Sequence, residues 1–200
     1  MGTHARATCR AGARGLARLG ALGVTVSLVS GCGLLGFPRT PGVAPPLSMT
    51  VTSPVAGADD LLPAQYTCHG AGHSPPLYWS GAPALATRSY AIVVDDSRAP
   101  ITPYVYWIVF DIRSATTAIP ASGLPPGALQ AMNSRGTSRY DPPCPADGRN
   151  MYRITVYALN VAKLRDDSGV LGTGAGLRRT WSAIASHVIA SGRLTVRAAV

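Results

Sequence analysis

The stretch that most constrains the fold of this chain is a stiff loop that leads directly into a buried strand. It runs from Tyr140 to Asn160 and reads YDPPCPADGRNMYRITVYALN. Pro142 and Pro143 fix φ and lack a backbone donor, so the first half is an exposed loop rather than a helix or a central strand. The second half is rich in β-branched and aromatic residues, which predicts one strand. A rigid loop that feeds a buried strand is typical of a binding rim.

The rest of the domain is predicted to be mainly β with a peripheral helix. The 200 residues include 22 Gly and 17 Pro, which favour many turns and short strands over a helical bundle. Strands are predicted at 48–53, 61–67 (irregular), 88–95, 104–112, 153–159 and 193–197. The apolar residues of 104–112 predict burial on both faces of the sheet. One helix is predicted over 176–190, and Gly192 would end it. Its apolar face is formed by residues three and four apart, namely Leu177, Trp181, Ile184, Ala185, Val188 and Ile189.

The first 32 residues have the order of a bacterial export signal. Arginines precede any acidic residue, and the apolar run from Leu19 to Val29 is too short to span a bilayer. The run ends in Val29-Ser30-Gly31-Cys32, which resembles the lipobox, where the peptide is cut before a cysteine that receives a diacylglycerol. An ordinary signal peptide with an accidental cysteine is the alternative.

The lipobox interpretation divides the chain into three parts. It predicts a signal peptide over 1–31, lipidated Cys32 with a Pro/Gly-rich tether over 32–47, and a domain over 48–200. The acyl chains would anchor the domain to the outer face of a bacterial cell membrane.

Two cysteines remain once Cys9 and Cys32 are set aside. Cys68 and Cys144 each lie in a Pro/Gly-rich loop, and an isolated pair in an exported protein usually forms a disulfide. Such a bond would close a loop of about 76 residues and add roughly 4 kcal/mol on the entropic model. Two neighbouring buried thiols are the alternative. His69 and His73 flank Cys68, but no tight metal-binding spacing is present, so no metal site is predicted.

Several motifs then follow one another in a recognisable order. They are TCHGAGHSPPLYW, AIVVDDSRAP, YWIVFDI, Asn133-Ser134 with Gly136, YDPPCP, YRITVYAL and SHVIA. This order resembles the bacterial branch of the phosphatidylethanolamine-binding protein family, also called Raf-kinase-inhibitor-like, over residues 48–197. The resemblance implies a large antiparallel sheet packed on a smaller one, with a C-terminal helix. It also implies a small pocket at the sheet edge that binds phosphate or a phospholipid head group.

Carried over position by position, the resemblance predicts six ligand-binding residues. They are Asp96, Arg98, Tyr106, Pro143, Asn150 and Tyr152.

Five of the pocket positions depart from the family pattern, and at one of them Ser97 stands where the family has a proline. Arg98 stands where the family has a second aspartate, Tyr106 and Asn150 replace two histidines, and Pro142 replaces a glycine. Tyr106 and Asn150 still donate hydrogen bonds but carry no charge. Arg98 could supply the charge through a bidentate fit to phosphate, or it could pair with Asp96 and close the site.

The predicted function is that of a membrane-tethered binding protein for a small anionic or phosphorylated head group. The alternative is a protein-interaction module that regulates a kinase or protease, with a vestigial pocket. No motif pairs a nucleophile with a base, so no catalytic residue, enzyme activity or cofactor is predicted. Four of the arginines behind the formal net charge of +9 lie in the first 18 residues, and the surplus of +5 in the rest of the chain is scattered, which does not favour nucleic acid as a partner.

Overall fold

The computed structural model of the protein describes residues 46–57, 59–96, 103–144 and 151–198. The predicted signal peptide, Cys32 and nearly all of the tether lie outside these ranges, as do Arg98 and Asn150. The roles predicted for them therefore stay predictions. Within the described residues, no helix is long and apolar enough to cross a membrane.

The described residues form short and long strands around one α-helix. The strands are β1 (Leu47–Ser48), β2 (Thr50–Thr52), β3 (Leu61–Leu62), β4 (Leu77–Ser80), β5 (Ser89–Asp96), β6 (Val105–Arg113), β7 (Ala118–Ile119), β8 (Leu129–Gln130), β9 (Met151–Leu159), β10 (Arg165–Asp166), β11 (Gly169–Val170) and β12 (Val188–Ala198). The helix α1 spans Leu177–His187, and a 3-10 turn spans Ala64–Tyr66.

A large sheet and a smaller sheet make up the fold, as the resemblance implied. The large sheet has the order β1-β12-β9-β5-β6-β8, and its long strands β12, β9, β5 and β6 are antiparallel. The two-residue strands β1 and β3 instead pair parallel with β12. The smaller sheet has the order β2-β4-β7, and β10 and β11 form a separate hairpin.

Two apolar clusters cover opposite faces of the large sheet. Along β5, Ile92 and Val94 pack in one cluster with Trp79 of the smaller sheet. Ala91 and Val93 alternate with them and pack in the other cluster, which includes Ile184 of α1. Because the central strands are covered twice, β5 and β6 are apolar almost throughout, which the sequence predicted for 104–112.

The predicted helix is present, but it ends three residues earlier than predicted. α1 ends at His187, and the chain continues at once as β12 from Val188. The β-branched residues after His187 pair with β9 instead of extending the helix. Gly192 is therefore not a helix stop. It lies inside β12, where an added Cβ would come within 2.5 Å of the Met49 carbonyl oxygen.

The buried side of α1 also differs from the predicted apolar face. Thr180, Ala183 and Ile184 are its buried residues, whereas Trp181 is 39% exposed. The Trp181 ring packs nearly perpendicular to that of Tyr157 of β9, with centroids 6.0 Å apart. The Thr180 hydroxyl is satisfied inside the helix because it donates to the Gly176 carbonyl.

The predicted first strand is divided between the two sheets. Ser48 pairs with β12 in the large sheet, and Thr50 pairs with β4 in the smaller sheet. The Met49 amide donates to the Ser191 carbonyl at the crossing point. One stretch of chain thus joins the two layers.

Candidate functional site

Three of the predicted ligand-binding residues converge where β5 ends and its two neighbours begin. Asp96 is the last residue of β5, and its register partner on β9 is Tyr152. Tyr106 is the second residue of β6. Because β5 is antiparallel to both neighbours, its C-terminal end meets their N-terminal ends. Side chains that are distant in sequence thereby become neighbours.

Tyr106 lies at the centre of this group. Its ring contacts Tyr152 with centroids 5.3 Å apart and Tyr104 with centroids 4.8 Å apart. Tyr152 is 1% exposed, whereas Tyr106 is half-buried. Burial raises the pKa of Tyr106 above its ordinary value, and Tyr152, Asp96 and Tyr104 raise it further. The Tyr106 hydroxyl therefore stays protonated and can donate a hydrogen bond to an anion.

A charged network borders the tyrosines. The buried Asp141 accepts a hydrogen bond from the Tyr104 hydroxyl at 2.8 Å. Arg135 forms an ion pair with the same carboxylate, with Nε 3.0 Å from Oδ1. The Asp141 amide also donates to the Tyr106 carbonyl, which fixes the loop that starts at Tyr140 against β6. This loop therefore lies beside Tyr106, as a rim should.

Asn133 holds the neighbouring loop in place. Its side-chain amide donates to the carbonyls of Tyr106 and Arg139, at 3.4 and 3.0 Å. Its carbonyl oxygen accepts from the amides of Arg135 and Thr137. The Asn133-Ser134 motif with Gly136 is thus a turn anchored to β6, and its φ of +82° at Gly136 is one that glycine readily adopts.

The disulfide predicted between Cys68 and Cys144 is present. The two sulfurs are bonded at 1.98 Å, and the Cα atoms are 5.1 Å apart. Beside the bond, the Cys68 amide donates to the carbonyl of the buried Pro143 at 3.0 Å. Pro143 therefore positions the rim, and the Cys68 loop is its neighbour.

A second ion pair, between Arg153 and Asp95, lies next to Asp96. Arg153 donates to both carboxylate oxygens of Asp95, at 2.7 and 2.9 Å, and its Nη2 also donates to the Asp96 carbonyl. This hydrogen bond to Asp95 raises the pKa of Arg153, so the guanidinium remains charged. Arg153 thus fixes the backbone at the end of β5.

The structure therefore unites part of the predicted site and adds to it. Asp96, Tyr106 and Tyr152 lie together, and Pro143 lies on the adjoining rim. The sequence prediction missed several site residues: Tyr104, Arg135, Asp141 and His69. A charged residue inside the proline-rich loop was the available signal for Asp141, and adjacency to Cys68 was the signal for His69.

Another concave surface lies away from this group. A cleft of about 460 Å³ between the β10–β11 hairpin and α1 is lined mostly by basic, acidic and hydroxyl residues. They include Arg165, Arg178, Ser182 and His187. Arg179 at its wall is paired with Asp166. None of the residues predicted for ligand binding lines it.

The fold and site define a class: a two-sheet β protein with an acid-and-tyrosine cluster at the ends of three adjacent strands. The sequence profile described as phosphatidylethanolamine-binding protein matches residues 52–199. The chain belongs to the phosphatidylethanolamine-binding protein family.

Relatives of the chain carry the name UPF0098 protein. One from Methanothermobacter thermautotrophicus is 35% identical over 138 residues, covering 66% of this chain and 87% of the relative. One from Pyrococcus horikoshii is 33% identical over 169 residues, covering 80% and 81%. One from Mycobacterium bovis is 40% identical over 113 residues, and the match spans only 54% of that protein.

Solved structures of the family have the same fold. YbcL of Escherichia coli, a member of the mammalian PEBP family, has a TM-score of 0.66 and 26% identity, covering 76% of this chain and 98% of YbcL. A phosphatidylethanolamine-binding protein homologue from Chlamydia trachomatis, CT736, has a TM-score of 0.64 and 28% identity, covering 75% and 96%.

Proposed function

We propose that this protein binds a small anionic or phosphorylated ligand, of the phospholipid head-group type, at the edge of the large sheet. The observation that carries the proposal is the convergence of Asp96, Tyr106 and Tyr152 at the ends of three adjacent strands. Family membership supports the choice of this edge. Binding is the whole of the proposed activity, and no bond is made or broken.

The chemistry of the site supports a hydrogen-bonding mode of recognition. Tyr106 supplies a neutral hydroxyl donor whose raised pKa keeps the proton in place. Arg135 is already paired with Asp141, and Arg153 with Asp95, so neither cation is the first choice for an incoming anion. Arg98, which follows Asp96 by two positions, is the proposed source of positive charge, through a bidentate contact.

The test removes one hydroxyl and keeps the ring. We expect inorganic phosphate and phosphoethanolamine to bind the full chain saturably in calorimetric titrations. Tyr106→Phe should weaken that binding by about ten-fold or more, because a hydrogen bond to a charged group contributes roughly 1.5–3 kcal/mol. Arg98→Gln should weaken it at least as much.

Tyr78→Phe is the matched control, since Tyr78 is an exposed residue of β4 in the smaller sheet. It should bind as the unchanged chain does. An absence of binding by the unchanged chain at millimolar ligand would refute the proposal. Equal affinity of the Tyr106 and Tyr78 variants would refute the assigned site.

A second candidate function rests on the rim itself. The disulfide and the Cys68–Pro143 hydrogen bond join two Pro/Gly-rich loops into one surface, on which His69, Gly70 and Cys144 are exposed. Such a surface suits a protein partner, for example a kinase or protease that the domain would regulate. Binding of that partner should survive Tyr106→Phe and fail when the exposed rim is altered by Ala71→Glu, at an exposed position of the same loop.

Membrane anchoring through Cys32 is the remaining part of the proposal. It rests on the lipobox-like order of residues 29–32. In a bacterial host, the chain should fractionate with membranes and incorporate labelled fatty acid. Cys32→Ala should abolish the label, whereas Cys9→Ala, which lies before the predicted cleavage point, should leave it unchanged. Retention of the label by the Cys32 variant would exclude the lipobox interpretation.

A further inference from the structure

His69 lies against the disulfide on the rim. One donor atom each from Cys68, His69 and Cys144 lie within 4.8 Å of one another. Two cysteine sulfurs and one imidazole nitrogen are the donor set of a three-residue zinc site, in which water takes the fourth position. While the sulfurs are bonded to each other, neither is a thiolate, so the oxidised protein cannot offer this set.

The two loops are held together by contacts other than the disulfide. The Tyr140 hydroxyl donates to the Tyr66 carbonyl at 3.1 Å, and the Cys68 amide donates to the Pro143 carbonyl at 3.0 Å. Pro142 packs over Gly72, where an added Cβ would lie 3.1 Å from its ring. Reduction of the S–S bond therefore leaves three contacts that keep the loops side by side.

The backbone that carries His69 is also fixed. The Thr67 side chain is fully buried, donates to the Ala64 carbonyl and accepts a hydrogen bond from the His69 amide at 3.2 Å. Gly70 follows in a turn so tight that a Cβ there would lie 2.5 Å from the Ala64 carbonyl oxygen. The imidazole is thus presented from a rigid turn, beside both sulfurs.

We propose that the reduced form of the protein binds one zinc-class divalent cation through Cys68, His69 and Cys144, with a fourth position open to water. The rim would then be joined by a disulfide under oxidising conditions and by a metal ion under reducing conditions. Two Zn–S bonds of about 2.3 Å at a tetrahedral angle need the sulfurs roughly 3.8 Å apart, a small movement for two exposed side chains.

The chemical step balances with a dithiol as reductant. The dithiol transfers two electrons to the protein disulfide by thiol–disulfide exchange and becomes a cyclic disulfide, while the two cysteines become thiols. The cation then displaces the two thiol protons, which pass to solvent. On reoxidation, the cyclic disulfide takes two electrons back from the cysteines and two protons from solvent, so that the Cys68–Cys144 bond re-forms and the ion is released. The proposal is independent of ligand binding at Tyr106.

The experiment uses the full chain in detergent, with Cys9→Ser and Cys32→Ser so that only the paired cysteines remain. The protein is reduced with dithiothreitol, desalted without oxygen and titrated with Co²⁺. We expect one Co²⁺ per chain with sulfur-to-cobalt charge-transfer absorption, and displacement by Zn²⁺. The oxidised protein should show no such absorption.

The matched pair of variants is His69→Ala and His73→Ala, because both histidines are exposed residues of one loop. His69→Ala should weaken Zn²⁺ binding at least ten-fold, His73→Ala should leave it unchanged, and Cys144→Ser should abolish it. Circular dichroism follows the fold in parallel. Three results would each overturn the proposal: no charge-transfer band in the reduced protein, equal affinities of the two histidine variants, or unfolding on reduction.

Discussion

Asp111 is a single buried carboxylate inside β6 that the sequence pattern did not single out. It is 2% exposed, its Oδ1 accepts the Leu164 amide at 2.9 Å, and Lys163 lies 3.4 Å from its Oδ2. Its φ is +57°, a conformation that Asp and Asn adopt more readily than most residues. Asp111 therefore fixes the segment after β9 to the large sheet.

Burial raises the pKa of Asp111 above its ordinary value of 3.8, and the Leu164 amide and Lys163 offset this only in part. The folded state therefore holds this proton more tightly than the unfolded state, so the contribution of Asp111 to stability falls as pH rises from about 4 through the raised pKa. Asp111→Asn keeps the shape of the side chain and the oxygen that accepts from the Leu164 amide, but it removes the charge. Its stability relative to the unchanged chain should therefore increase with pH.

Urea unfolding at several pH values between 4 and 8 measures this difference. Asp167→Asn, an exposed position, is the control for the loss of one carboxylate. The prediction is wrong if the free energy of unfolding of the Asp111 variant, relative to that of the unchanged chain, decreases as pH rises. In that case the partners stabilise the carboxylate more than burial disfavours it.

At the scale of elements, β12 is a long strand of the large sheet that lies close to the segment joining the two sheets. It pairs with β9, β1 and β3, and Gly192 within it lets the Met49 backbone approach. A Cβ at Gly192 would lie 2.5 Å from the Met49 oxygen and 2.9 Å from Val51 Cγ2. The neighbouring atom at 2.5 Å is backbone, so it cannot turn aside as a flexible side chain would.

Gly192→Ala should therefore destabilise the protein by about 1–3 kcal/mol, the usual cost of overpacking. Chemical denaturation gives the value. Gly172→Ala is the control, because a Cβ there has nothing within 4 Å, and it should change the free energy of unfolding by less than about 0.5 kcal/mol. If the two substitutions changed the free energy of unfolding equally, the two sheets would be able to accommodate the added Cβ at Gly192 without an energetic cost.

Elements differ in how far sequence alone predicts them. Runs such as AIVVD and YVYWIVFDI predicted β5 and β6 well, because strands covered on both faces are apolar at most positions. The end of α1 was predicted too late because the apolar spacing of the helix continues past His187. The residues from Val188 onward form a strand because they pair with β9. Local patterns carry no information on such distant partners.

The candidate site shows the same limit. Motif order placed Asp96, Tyr106 and Tyr152 together, but the network of Arg135, Asp141 and Tyr104 joins residues that no motif relates. No regular ligand spacing in the sequence marks His69 as a metal ligand, yet the fold brings it to both sulfurs. The contacts that the sequence could not predict are those that depend on tertiary structure.

At the scale of the whole molecule, the disulfide links two loops 76 residues apart in sequence. The enclosed segment includes the central strands β5 and β6, so the bond restricts the unfolded chain across much of the domain. In the native state, the Tyr140–Tyr66 and Cys68–Pro143 hydrogen bonds hold the same loops. We therefore expect the disulfide to act mainly on the unfolded state.

On the chain-entropy model, Cys68→Ser with Cys144→Ser should lower the free energy of unfolding by roughly 4 kcal/mol and leave the native fold intact. Urea unfolding monitored by tryptophan fluorescence tests this, with near-ultraviolet circular dichroism to verify the native state. The reduced unchanged chain, kept free of metal by a chelator, should match the double variant. A loss well below this value would show that residual structure in the unfolded chain already brings the two loops together.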